Sequence, residues 1–76
     1  MKDILELIIK NLVTDTDAVS INEITGEKSI VIEVKVAEAD MGKVIGKQGR
    51  IAKAIREIIR AVASKEQKRV TVEFID

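Results

Sequence analysis

The chain has 76 residues, 46% of them hydrophobic, no Cys and no His, and its 13 Lys and Arg balance 13 Asp and Glu. Such a length makes one small domain over residues 1–76, burying about 60% of the surface its unfolded chain exposes, and the apolar content is too high for a disordered chain. The missing Cys and His exclude disulfides, thiolate chemistry, the commonest zinc ligands and the usual proton-transfer side chain, so neither catalysis nor a metal or cofactor is expected.

From Asp3 to Val13, Ile4, Leu5, Ile8, Ile9 and Leu12 recur at helical spacing, and Glu6 and Lys10 form an i,i+4 pair on the wetter side. Asp3 and Glu6 have the spacing of a capping box. Thr14 to Asp17 breaks the helical period with turn-forming residues. A short strand then fits Val19, Ile21 and Glu23, ending in the hairpin signal Thr25-Gly26-Glu27-Lys28. Over Ser29 to Ala37 the apolar Ile30, Ile32, Val34 and Val36 alternate with Val31, Glu33 and Lys35, which predicts a β-strand with one face in the core. Asp40 is placed to cap a brief helix through Ile45, which Gly46 ends. A longer helix, about Arg50 to Ser64, carries Ile51, Ile55, Ile58, Ile59 and Val62 on one stripe and Arg50, Lys53, Arg56 and Arg60 elsewhere. Arg69 to Ile75 alternates again, with Val70, Val72 and Phe74 on one side. The predicted order is α-β-β-α-α-β, an α+β fold whose helices cover one face of a three-stranded sheet.

The zero net charge conceals a segregation. Residues 1–40 carry four bases and nine acids, a balance of −5, whereas residues 41–60 carry six bases and one acid, a balance of +5. Inside that basic stretch lies Gly46-Lys47-Gln48-Gly49, between two predicted helices. One Gly ends the first helix, and the second removes a side chain where a ligand backbone can approach. The exposed amides at the following helix start are donors for an anion, and Lys47 adds a cation. This is the pattern of a small phosphate-binding surface. A P-loop is excluded, because Gly42 and Gly46 enclose three residues rather than four and Gln48 stands where its hydroxyl residue should be. A dinucleotide loop would need Gly at Val44.

Val44-Ile45-Gly46-Lys47-Gln48-Gly49-Arg50, with a strand and short helix before it and an Ile-rich basic helix and strand after it, resembles the core of a KH domain, whose G-x-x-G loop clamps roughly four nucleotides by their backbone. The extra N-terminal helix and strand match the type II arrangement. Along Gly42 to Arg56 the chain is most similar to the small bacterial RNA-binding proteins of the KhpA family. The resemblance implies that Gly46, Lys47, Gln48 and Gly49 form the clamp. Val44 and Ile45, with Ile51, would form or support an apolar floor, while Arg50 and Lys53 face the backbone track. One departure is Ala52, three positions after the second Gly, where many KH domains carry a large aliphatic residue. The only aromatic, Phe74, sits in an alternating strand and reads as core, which disfavours recognition by base stacking on aromatic rings.

The expected function is a non-enzymatic single-stranded RNA-binding module, a sequence-tolerant RNA chaperone or adaptor. The resemblance also implies a larger bacterial partner of the KhpB or Jag type and self-association as a homodimer, and a domain this lean leaves apolar residues such as Val31 or Ile75 on the less-covered sheet face for such contacts. The rival reading is a protein-interaction module with secondary RNA binding, in which the acids Asp15, Asp17 and Glu23 meet a basic partner. No run of 18 apolar residues exists, and the early acids Asp3 and Glu6 argue against a secretory leader. A cytoplasmic location without membrane association is expected.

Overall fold

A computed structural model describes residues 1–75. Helix α1 spans Lys2–Leu12 and buries Leu5 and Ile9 completely, four residues apart on one face. The anticipated capping box does not form. Met1 occupies the cap position and its carbonyl accepts the Leu5 N–H at 3.2 Å, so Asp3 lies inside the first turn with no side-chain cap. Met1 also packs against the core, which draws the helix start forward. Glu6 is bound instead to Lys10, Nζ to Oε1 2.8 Å, and this cation holds its carboxyl below the ordinary range.

After a 3-10 turn at Thr16–Ala18, strand β1 (Ser20–Thr25) turns back into β2 (Ser29–Lys35), and the Gly26 N–H donates to the Ser29 carbonyl at 2.7 Å to close the hairpin. A second 3-10 turn, Glu38–Asp40, leads into α2 (Met41–Ile45). The loop Lys47–Gly49 follows, then α3 (Arg50–Lys65) and strand β3 (Arg69–Ile75). The sheet order is β1-β2-β3, with β2 antiparallel to β1 and parallel to β3. Parallel pairing follows from the path: two helices carry the chain back to the starting end of β2 before β3 begins.

Register aligns Ile30 with Val70, Ile32 with Val72 and Val34 with Phe74, and this face meets the helices. Because successive strand residues point to opposite sides, Glu33, Thr71 and Glu73 share the other face. Ile24, paired with Val31 there, is 53% exposed. The fold is therefore the α+β order anticipated, with all three helices packed into the core on one side of the sheet.

The stripe of α3 differs from expectation at one position. Ile55 and Ile59 are buried, but Ile58 is 48% exposed, and the small residues Ala52 and Ala63 complete the buried row. At 3.6 residues per turn, Ala52, Ile55, Ile59 and Ala63 lie along one line, from which Ile58 is turned away.

Candidate nucleic-acid interface

The loop between α2 and α3 is shaped by backbone conformations that few residues tolerate. Gly46 has φ +78 and ψ 174, a region essentially restricted to Gly. A Cβ there would lie 2.6 Å from Ile51 Cγ1, so the missing side chain makes room for Ile51 as well. Gly49 is left-handed at φ +74 and has open space around its Cα. Of the two glycines, then, Gly46 is packed shut and Gly49 is the one a ligand backbone can approach. Gln48, between them, is also left-handed at φ 59, an uncommon state for a residue with a side chain.

These conformations are held by a short ladder. The Gly46 N–H donates to Gly42 O at 2.9 Å, ending α2, and the Gly49 N–H donates to Gly46 O at 3.2 Å. Val44 is fully buried beneath the loop and Ile45 and Ile51 are half-buried beside it. Val44 thus acts as the loop's anchor in the core, while Ile45 and Ile51 retain surface near it. Lys47, Gln48, Arg50 and Lys53 are exposed. Arg50 makes a long hydrogen bond to Gln48 Oε1, 3.4 Å. No side chain caps the start of α3; the Arg50 N–H donates to Lys47 O, and the amides that follow it lie at the positive end of the helix dipole.

Not every base of the 41–60 stretch contributes to this field. Lys43 donates to Asp40 Oδ1 at 3.0 Å and to Thr14 Oγ1, which removes it from the loop and ties α2 to the segment after α1. Asp40, the buried charged residue of the described core, does not cap α2 by its side chain. Its Oδ2 accepts the Asp15 N–H at 3.0 Å. That backbone donor, followed by Lys43, holds the Asp40 carboxyl below its ordinary value of 3.8. A lone acid before a helix reads as a cap, so sequence alone gave no sign of this clasp. Arg56 is engaged too: its Nε donates to Val72 O at 3.2 Å and its guanidinium sits 5.3 Å from the Phe74 ring centre. Among the described residues, Lys47, Arg50, Lys53 and Arg60 form no ion pair.

A loop with a packed Gly, an open Gly and a free Lys, set between two helices on a three-stranded sheet with one parallel pair, defines a KH domain. The KhpA/KhpB KH-domain family model matches residues 2–74, and the chain belongs to that family. It is 64% identical to RNA-binding protein KhpA of Clostridium acetobutylicum over 75 residues, which is 99% of this chain and all of the relative. RNA-binding protein KhpA of Aquifex aeolicus is 53% identical over the whole chain and 96% of the relative, and that of Chlamydia trachomatis 42% over the whole chain and 97%. No solved structure gives a significant match. No described helix is long and apolar enough to cross a membrane.

Proposed function

We propose that the chain is a non-enzymatic single-stranded RNA-binding protein that holds about four nucleotides by their backbone at Gly46–Gly49, as KH loops do. The observation that carries this reading is the pairing of an open, left-handed Gly49 with an exposed, unpaired Lys47 at the uncapped start of α3. A phosphate reaching the loop meets a cation, helix-start amides and no side chain at Gly49. Arg50 and Lys53 continue the positive surface along α3, with Val44 anchoring the loop and Ile45 and Ile51 bordering it. The relatives named RNA-binding proteins support the same ligand. Backbone recognition by so short a clamp gives weak, sequence-tolerant binding, which suits an RNA chaperone or adaptor in the cytoplasm.

Limited affinity is raised when a second module shares the strand. A KhpB-type protein, whose KH domain falls in the same family, is the partner that fits, alongside a homodimer. Leu7, 66% exposed on α1, and the exposed Ile4, Ile58 and Ile24 give such contacts apolar surface, and also favour the second reading, an assembly module with secondary RNA binding.

The deciding experiment is Lys47→Asp with Gln48→Asp, which keeps both glycines while replacing a cation and an amide by two anions. Affinity for unstructured RNA should fall at least about tenfold, roughly 1.4 kcal/mol, with thermal unfolding little changed because both side chains are exposed. A folded variant that binds RNA like the parent would transfer the proposal to the assembly reading.

A further inference from the structure

A second cationic site lies at the far end of α3. An open hollow of ≈ 720 Å³ is lined there by Lys28, Arg60, Lys68 and Arg69, with Ser29, Ser64 and Gln67 supplying neutral hydrogen-bonding groups. Glu27 and Glu66 adjoin these residues in sequence, yet no acid lines the hollow. One or two cations after a helix would simply offset the negative end of its dipole. Four, brought from the β1–β2 turn, from α3, from the α3–β3 connection and from the start of β3, exceed that need.

The arrangement is held by the backbone. The Gln67 N–H donates to Ser64 O and the Lys68 N–H to Ala63 O, each at 3.1 Å, the paired bonds of a Schellman ending. The Arg69 N–H donates to Lys28 O at 3.0 Å, which ties the first residue of β3 to the hairpin turn, and both residues line the hollow. Gln67 takes the left-handed position at φ 57, where Gly or Asn is usual. The two non-Gly residues with positive φ in the described chain are thus both Gln, one in each cationic site at opposite ends of α3.

Between the ends, Lys53, Arg60 and Ser64 share one side of the helix with Glu57, its single acid, while Arg56 at the edge of that side is held by Val72 O and the Phe74 ring. Sixteen residues of helix span about 24 Å. We propose that the Lys28–Arg60–Lys68–Arg69 hollow is a second phosphodiester-binding site, outside the loop clamp, which takes a later stretch of the same single strand and lengthens the RNA footprint along α3. This inference rests on the RNA-binding reading of the loop. The shared chemistry is phosphate; the source proposed is the strand, not a free anion.

The test compares a 4-mer and a 12-mer of unstructured RNA on the full chain. Lys28→Gln/Lys68→Gln/Arg69→Gln should lower 12-mer affinity by about fivefold, and flatten its salt dependence by about 1.4 in log–log slope if two phosphates are lost. The 4-mer should be unaffected. Unchanged 12-mer binding, or an equal loss on the 4-mer, would overturn the proposal. On the unaltered protein, a lysine-acetylating reagent gives an independent measure: the 12-mer should shield Lys28 and Lys68 and the 4-mer should not. Shielding by tripolyphosphate but not by the 12-mer would assign the hollow to free anions and overturn the strand. The Lys47→Asp/Gln48→Asp variant reports separately, because failure of the loop reading shows as undiminished 4-mer binding.

Discussion

The two ends of α3 both gather positive charge, but by different physics. At the start, three of four consecutive residues have positive φ, and the uncapped helix presents amides at the favourable end of its dipole. The backbone itself is shaped there. At the finish, Schellman bonds satisfy the last carbonyls, the dipole opposes an anion, and only side-chain cations attract one. A site made of backbone should be intolerant of single changes that alter φ or space, whereas a site made of summed charge should lose function by increments.

Gly46→Ala should have the largest effect on this contrast. The new Cβ meets Ile51 in a conformation restricted to Gly, so a loss of about 3 kcal/mol is expected from strain and overpacking together. Urea unfolding measures it, and a loss below about 1 kcal/mol would mean that the loop relaxes freely. Gly49→Ala, left-handed but without a close neighbour, should cost only about 1 kcal/mol. Equal costs for the two would erase the distinction between the packed and the open glycine.

At the other end, Arg69→Gln should reduce affinity for a long single strand by less than about threefold and the salt slope by about 0.7, one phosphate's worth. A collapse of binding on this one change would show that the hollow is as geometrically exacting as the loop.

Acid separates the ends further, because the loop side rests on Asp40. Its folded carboxyl is held below 3.8, so the stability it contributes is present above that ordinary value and is lost as pH falls through the folded value. Asp40→Asn should flatten the acid limb of stability measured by urea unfolding across a pH series. An unchanged limb would remove the Asp15–Asp40–Lys43 clasp from the account. The smallest effect is expected for Gln67→Gly. Relief of the left-handed strain is nearly balanced by the extra chain entropy of Gly, leaving a gain of about 0.5 kcal/mol or less, which thermal unfolding can resolve.

Much of the fold was legible because its causes are local. The alternation from Ile30 to Val36 and the 3.6-residue recurrence in α1 and α3 state which faces seek burial, and Gly-Lys-Gln-Gly states where the chain must turn between helices. The loop residues of the candidate site came from the same local signal, and their membership in a KH domain from its wider context. What tertiary structure alone decided is non-local. Lys43 looked like part of the basic surface until a contact with Thr14, 29 residues away, withdrew it. Ile58 looked like core until packing chose the line through Ala52 and Ala63. The hollow at the end of α3 has no sequence motif, since Lys28 stands 32 residues before Arg60 and reaches it only because β3 lies parallel beside β2. Periodicity determines which face of an element is apolar; which neighbour covers it, and which distant charge it meets, depends on how the elements stack, and that is settled by the sum of their contacts.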